Sequence, residues 1–325
     1  MSNARGDNTQ LLMRQQAQFG AAEAAAEGAF RLLPFYSYDL DPSEELSTDD
    51  AIRGDSFPGE IIAGLQTMSG GLVVPMALQS IGWHFANLFG APETSEPSTG
   101  NFQHIFAPSA VPTPGLQTVG KNFLGPNLFF VQDSVVYKGF EIAAKKEGQR
   151  PRINFDVLGR QEIKAGAALD TTPVEYANDV APVGFTGKAK IDGALAAAIT
   201  GLTGKVSSEA EMDQEEMNGL ATASDVDLGD WMMDGSIDTR FRDATYYDMA
   251  TNGTLVDLSL EYALSPTVGI EFTFFNARLE RKGVPITNRE VISASFNFRV
   301  GRPGAGQSPF QILLKNDVAS YGNPS

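Results

Sequence analysis

The 325-residue chain contains no cysteine and only two histidines, His84 and His104. Without cysteine, disulfides, zinc–thiolate sites, iron–sulfur clusters and thiol catalysis are excluded. Two histidines leave little material for a histidine metal site or a catalytic triad. No run of about 18 apolar residues occurs, and no apolar segment follows the polar N-terminus. We therefore expect neither a membrane-spanning helix nor a secretory signal.

Basic residues are also scarce, since 24 Lys and Arg stand against 40 Asp and Glu and the net charge is -16. Such a charge repels nucleic acid at long range and argues against a nucleic-acid-binding protein. Hydrophobic residues still make up 42% of the chain, which is enough for a packed core. The length predicts about two domains.

No catalytic template fits the sequence. Motifs for phosphate loops, dinucleotide binding, zinc proteases and nucleophile elbows are absent. The acidic groups in 213–216 and 225–234 do not match the D-x-[DN]-x-[DN]-G pattern with a Glu at position 12 that an EF-hand loop requires, which favours a solvated loop. We interpret His84, in a predicted helix, and His104, in a strand-like run, as packing residues. The sequence therefore predicts no enzyme, no metal site and no cofactor.

Alternating apolar and polar residues are the main structural signal. They occur over 152–163, 256–264, 268–275 and 291–300, which is typical of antiparallel strands with one dry face and one wet face. This pattern predicts a mainly β protein.

Helix signals are few. One helix is predicted over 75–90, with Pro75 in its first turn and Gly90 after its last, and another over 243–250. Residues 9–30 have helical propensity, but glycines weaken it, and we interpret them as a terminal arm. Residues 91–127 read as a long loop.

The two halves of the chain resemble each other at an offset of 165 residues. Ser37–Gly54 then falls on Leu202–Gly219, and Gly70 falls on Gly235. In addition, 154–160 (NFDVLGR) echoes 297–302 (NFRVGR). The shared order of elements favours duplication of one domain. The predicted division is an N-terminal arm (1–30), a first domain (31–165), a linker (166–185), a second domain (186–302) and a C-terminal tail (303–325).

An ordered set of short motifs carries a family resemblance. The set comprises Ile52-Arg53-Gly54, Ser69-Gly70-Gly71-Leu72-Val73-Val74-Pro75, Leu88-Phe89-Gly90, Asn101-Phe102-Gln103-His104-Ile105-Phe106, Asp156-Val157-Leu158-Gly159-Arg160 and Gly235-Ser236-Ile237-Asp238-Thr239-Arg240-Phe241. No single motif is diagnostic, but the set covers most of residues 30–300. Together they resemble the major tail tube proteins of long-tailed, siphovirus-like bacteriophages.

The resemblance implies a fold and a structural role in the virion. The fold would be two tandem tail-tube-type β-sandwich or half-barrel domains, each with one short α-helix, assembling into a β-barrel ring. Rings would stack into the phage tail tube, the conduit for DNA ejection. Two domains in each chain favour a homotrimeric, pseudo-hexameric ring over a hexamer. Such a protein is made in the host bacterial cytoplasm and ends in the virion.

The implied partners are other copies of the chain and further tail proteins, namely the tape measure, the terminator and the distal tail protein. Double-stranded DNA would pass through the lumen without specific binding, and no membrane is involved. An inner wall rich in acidic and small polar residues would oppose phosphate binding.

Two sets of residues are predicted to serve assembly. The acidic segments 41–50 and 208–216 would be loops that reach the next ring and meet basic or polar groups there. The predicted stacking residues are Asp41, Glu44, Glu45, Asp49, Asp50, Glu209, Glu211, Asp213, Glu215 and Glu216. The polar positions of the alternating strands would line the lumen. These lumen candidates are Asn154, Asp156, Asp257, Ser259, Glu261, Glu271, Thr273, Ser293, Ser295 and Asn297.

Two other interpretations remain open. One stays structural: a tail terminator, or a tube protein of a phage-like particle such as a gene transfer agent or an injection system. The other is a β-sandwich module that binds a surface or a carbohydrate. Its binding platform would consist of Trp231, Tyr246 and Tyr247.

Overall fold

The computed structural model describes residues 3–113, 115–284, 291–304 and 306–324. Strands account for 49% of the chain and helices for 7%. The large sheets are antiparallel, are not closed into a barrel within one chain, and agree with β-sandwich domains. The predicted mainly β fold with two short helices is therefore confirmed.

The elements follow one another along the chain. The strands are β1 (Thr9–Gln15), β2 (Arg31–Leu32), β3 (Ser37–Tyr38), β4 (Asp41–Thr48), β5 (Ile61–Pro75), β6 (Glu93–Ser98), β7 (Asn101–Phe106), β8 (Gln117–Phe123), β9 (Leu128–Lys145), β10 (Arg152–Gly159), β11 (Gln161–Ala165), β12 (Lys188–Ile191), β13 (Ala194–Leu195), β14 (Ile199–Ser208), β15 (Glu211–Asp213), β16 (Asp225–Asp227), β17 (Trp231–Arg240), β18 (Leu255–Ser265), β19 (Val268–Leu279), β20 (Ser293–Val300) and β21 (Phe310–Asn316). The helices are α1 (Ile81–Phe89) and α2 (Thr245–Asn252).

Both helices lie where the sequence predicts them, with shifted bounds. Pro75 ends β5, opposite Arg152, so its predicted place in a first helical turn is wrong. Helix α2 begins two residues after Asp243, whose carboxylate accepts a hydrogen bond from the backbone N–H of Thr245 at 2.9 Å. Gly253 ends α2 in the left-handed conformation that glycine adopts without steric cost.

Two local predictions are wrong. Residues 9–15 form strand β1 rather than part of a terminal arm, because pairing with β8 buries Leu11, Leu12 and Met13 and overrides their helical propensity. Residues 91–127 contain β6, β7 and β8 rather than one long loop. Their strands carry buried polar residues such as Gln117 and Thr118, which hide the alternation that marks the other strands.

One long sheet runs through both halves of the chain. Its strands follow the order β4, β5, β10, the second part of β9, β14, β17 and β20. The end of β19 adds to β20, and β3 pairs with β5 beyond β4. We call this the long sheet. The pairing of β9 with β14 joins its two halves edge to edge.

Two short sheets pack against the long sheet. In the first, β1, β8, the first part of β9 and β11 lie side by side. In the second, β12, β18, β19, β21 and β7 do so. Strands β9 and β19 belong to a short sheet at their beginning and to the long sheet at their end. Each bends at a residue with positive φ, Ser134 (φ 50°) and Asn276 (φ 51°).

The strand order of the first half recurs in the second. Leu72 of β5 pairs with Phe155 of β10, and Ile237 of β17 pairs with Phe296 of β20. The element series β1, β5, α1, β8, β9, β10, β11 thus matches β12, β17, α2, β18, β19, β20, β21. The echo between Asn154 and Asn297 is two residues out of register. A slip of two leaves the alternating pattern unchanged, so the sequence alone does not reveal it.

These correspondences favour duplication, and we keep the two-copy organisation as a proposal. The pairing places a first unit at residues 9–165 and a second at 188–316, called here the N-terminal and C-terminal units. The sequence boundaries instead put β1 in an arm and β21 in a tail. Both strands pair with strands of their own unit, β1 with β8 and β21 with β19.

The main core fills the space between the long sheet and the short sheets and includes residues of both units. Helix α1 lies at its centre, and all but its last residue are buried. Close approach of the layers depends on glycine at 204. A Cβ there would lie 2.5 Å from the ring of Phe274, which packs across the core on Phe298.

Candidate functional site

A long exposed hairpin forms one end of the long sheet. Strand β4 is exposed along its whole length, and the tip at residues 49–60 joins it to β5. The tip carries apolar side chains in the open, since Ile52 is 100% exposed and Phe57 is 84% exposed. Exposed apolar side chains on a projecting element are typical of a surface that contacts another protein.

A second acidic segment lies beside this hairpin. The β14–β17 connection, residues 209–230, contains the small β15–β16 sheet. The backbone N–H of Gln66 on β5 donates to the carbonyl of Ala221 at 2.8 Å, and the Gln214 side chain donates to the Gln66 carbonyl at 2.6 Å. The fold therefore brings the two predicted stacking segments together at one end of the sheet.

Much of the negative charge is concentrated at this end. Residues 41–60 hold seven acids and one base, and residues 209–230 hold eight acids and no base. These 15 acids of the 40 in the chain lie in 42 residues. We call the hairpin segment 41–60 and the connection 209–230 the acidic end.

The predicted stacking residues take different positions there. Asp41 lies at the base of the hairpin, where its carboxylate accepts a hydrogen bond from Lys121 Nζ at 3.4 Å. Asp49 is paired with Arg53. Asp213 accepts the Glu215 backbone N–H at 2.8 Å and so holds the start of the exposed loop 215–220. Glu44 and Glu45 lie on β4, Asp50 on the tip, Glu209 after β14, Glu211 on β15 and Glu216 on the exposed loop.

The opposite end of the long sheet is basic. Lys145 ends β9, Arg152 begins β10, and Arg240 ends β17, and the antiparallel pairings place these strand ends together. Lys146, Arg150 and Arg242 follow or precede them along the chain. Sequence analysis missed this group, because these residues are scattered along the chain and only strand register brings them together.

One face of the long sheet is solvent-exposed and polar. Across it, Asn154 lies opposite Glu141, Glu141 opposite Lys205, Lys205 opposite Asp234, and Asp234 opposite Arg299. Charges of both signs therefore alternate between neighbouring strands. This face therefore carries Lys205 and Arg299 in addition to the acidic and small polar residues predicted for a lumen wall.

The predicted lumen residues do not share one surface. Asn154, Asp156, Ser293, Ser295 and Asn297 lie on the polar face of the long sheet. Asp257, Ser259, Glu261, Glu271 and Thr273 lie on β18 and β19, on the outer face of the second short sheet. Because the two faces point away from a common core, one of them can line a channel and the other cannot.

The outer face of the second short sheet has its own ion-pair cluster. Lys190 Nζ lies 3.2 Å from Glu261 Oε2 and 3.0 Å from Glu271 Oε1. Partial burial lowers the pKa of Lys190, but the hydrogen bonds that its ammonium donates to both carboxylates outweigh burial and raise that pKa. The cluster links β12 to β18 and β19, so Glu261 and Glu271 have a structural role.

Both histidines pack inside the protein. His84 Nδ1 lies 2.6 Å from the hydroxyl of Tyr137. Burial lowers the pKa of His84 to about 3, so its imidazole is neutral at pH 7. His104 is held by Thr94 Oγ1 at 2.9 Å and by the Val318 carbonyl at 2.8 Å. Neither imidazole lies in an open site.

The buried His84 predicts a loss of stability in acid. The unfolded chain binds a proton at this residue below its ordinary pKa of 6.5, whereas the native protein does not until about pH 3. Stability therefore falls as pH decreases from 6.5. Urea unfolding at pH 7 and pH 5 should show a His84 contribution of roughly 2 kcal/mol, which the His84→Gln variant lacks. An unchanged difference between the two pH values in the variant contradicts the assignment.

Among the described residues, no group of three or more His, Asp or Glu side chains is placed to hold a metal ion. No helix in those ranges is long and apolar enough to cross a membrane.

Among curated proteins, no chain matches this one. The family model described as phage tail tube protein matches residues 6–300. Because that match spans most of the 325 residues, the chain belongs to the phage tail tube protein family.

Proposed function

We propose that rings of this chain stack into the tail tube through which DNA leaves the phage. The β9–β14 pairing carries the proposal. It joins two similarly ordered sets of strands edge to edge, and Gly201 to Ser207 pair with Lys145 to Gly139 without interruption. Within the described residues β4 pairs only with β5, so its outer edge is open to a strand of another chain.

A ring of three chains follows from this arrangement. If each chain supplies two units, three chains give six units around one axis, and the long sheets together close into a barrel. Closure removes the exposed edges that would otherwise lead to uncontrolled pairing. The tape measure, terminator and distal tail proteins would contact this tube at its bore and at its two ends.

The polar face of the long sheet is the best candidate for the lumen wall. It spans both units, whereas the outer face of the second short sheet belongs mainly to one. Lys205 Nζ lies 3.9 Å from Asp156, and Arg299 Nε lies 3.6 Å from Glu280. Basic side chains with acidic neighbours displace fewer counterions from DNA. DNA therefore binds such a wall weakly and can pass through.

Electron microscopy and mass measurement test the function directly. Purified protein should form hollow tubes, and single rings should have the mass of three chains. A ring of six chains contradicts the trimer. A protein that remains a monomer at high concentration, even when the salt is varied, contradicts the tube itself.

Cysteine labelling tests the lumen face, and the cysteine-free chain makes it clean. Asn154→Cys places a thiol on the polar face of the long sheet, and Ala263→Cys places one on the exposed second short sheet. Tube assembly should slow reaction of the first with a bulky maleimide by about tenfold relative to free subunits, and that of the second by less than about twofold. The reverse pattern would place the polar face of the long sheet on the outside of the tube and the second short sheet in the lumen.

No observation favours the carbohydrate-binding module. Trp231 packs on Phe89, with ring centroids 5.5 Å apart, and its indole N–H donates to the Ser109 carbonyl. Tyr246 and Tyr247 are half-buried against the core. The three aromatics thus have packing roles. A terminator would form single rings that never elongate, and microscopy distinguishes that outcome.

A further inference from the structure

A cleft of about 800 Å³ opens at the basic end of the long sheet, beside the C-terminal unit. Its lining contains basic residues and no acidic residue, in a chain with a net charge of -16. The basic residues are Lys145, Lys146, Lys188, Arg240 and Arg242. A single-sign cleft in a protein of opposite net charge points to an anionic occupant.

The cations of the cleft are available for such an occupant. Within the described ranges, Lys145, Lys146, Arg240 and Arg242 form no salt bridge and are exposed, while Lys188 lies 3.8 Å from Glu261. The walls are also partly apolar. Phe185 is 58% exposed and Leu195 is 66% exposed.

The corresponding cleft of the N-terminal unit has a different character. Leu202 holds in its unit the position of Tyr38, since they pair with Ile237 and Leu72, and each lines its own cleft. The N-terminal cleft mixes both signs. Its charged residues are Asp41, Lys121, Arg150, Glu175 and Asp179. Of the two clefts, only the C-terminal one therefore favours a ligand of one charge.

We propose that this cleft binds the exposed loop 215–220 of a second copy in the adjacent ring; the inference rests on the proposed tube function. The loop offers Glu215 and Glu216 to the cations. It offers the fully exposed Met217 and the 57% exposed Leu220 to the apolar walls. Residues 209–230 contain no basic residue that would oppose binding.

The positions of loop and cleft determine the kind of assembly. The loop lies at the acidic end of the long sheet and the cleft at the basic end, so one copy cannot fill its own cleft. Contact between copies is then head to tail, which extends along the strand direction and does not close. Such a contact produces a stack of unlimited length.

Charge reversal tests the contact. In the full chain, K145E/K146E and E215K/E216K should each reduce tube length by about tenfold or more at low salt, while secondary structure and unfolding midpoint stay unchanged. The chain with all four substitutions should regain tubes in part, because the two lysines introduced in the loop then face the two glutamates introduced in the cleft, while Lys188, Arg240 and Arg242 stay basic. K164E/R302E, which alters two exposed basic residues outside the cleft, is the matched control and should form normal tubes.

The outcomes separate this contact from the function. Normal tubes from K145E/K146E overturn the cleft assignment and leave the tube function intact. Rescue by D49K/D50K but not by E215K/E216K assigns the cleft to the hairpin tip and overturns the loop. Salt-dependent binding of duplex DNA that K145E/K146E abolishes without shortening tubes makes the cleft a phosphate site and overturns the proposal. Wild-type chain that never assembles refutes the tube function instead.

Discussion

Replacing residues 49–60 by an Asn-Gly turn should abolish tubes and leave a folded subunit. Thr48 pairs with Ile61, so a two-residue turn can close the shortened hairpin in its existing register. The removed segment is almost entirely exposed and makes few contacts within the chain. Its loss therefore takes away an intermolecular surface and little folding energy. Microscopy measures the tubes, and circular dichroism with urea unfolding measures the subunit.

Replacing only the tip 49–60 keeps strand β4 in place. Deleting 41–50 would remove β4 itself and expose β5, so any assembly defect would be ambiguous. A second variant, D49N/D50N/D55N/E60Q, keeps the backbone and the apolar side chains of the tip but removes four acids. Tubes from this variant, with none from the deletion, assign the contact to Ile52 and Phe57. Tubes of normal length from the deletion would exclude the hairpin from stacking.

Phe85→Ala should be the most destabilising single substitution in the core, at about 3–5 kcal/mol. The Phe85 ring is fully buried and meets five other aromatic rings within 6.4 Å between centroids. Three of these rings, Phe140, Phe155 and Phe272, belong to the long sheet and to the second short sheet. Truncation to alanine would therefore leave a cavity between the two sheets that neighbouring side chains cannot fill.

Chemical denaturation of purified subunits measures this loss. Phe57→Ala is the matched control, because Phe57 is 84% exposed and its truncation should change the free energy of unfolding by less than about 0.5 kcal/mol. A loss below about 1 kcal/mol for Phe85→Ala would show that the core collapses around the missing ring.

Sequence reasoning predicts the strands that have one dry face and fails where strands are edge-paired or buried on both sides. The alternation of Ile153, Phe155 and Val157 gives β10 directly. Strand β8 buries polar and apolar residues alike, and its composition reads as loop. Strand β1 has helical propensity, and only its long-range pairing with β8 makes it a strand.

Candidate surfaces were predictable only in part. Alternation shows that Thr273 and Ser295 face away from a core, but not that their strands belong to different sheets. The acidic segments are contiguous in sequence and could be found. The basic cleft joins residues from 145 to 242 and required the strand register.

The β9–β14 junction has a kinetic consequence for assembly. In a three-chain ring, half of the lateral junctions are intramolecular and are already made when the chain folds, so their effective concentration does not depend on dilution. Three two-unit chains, in place of six single-unit chains, must then lose translational and rotational freedom for a ring to form. Two linked units can also differ in sequence, so that alternate positions around the circumference present different chemistry to whatever travels through or docks on the cylinder.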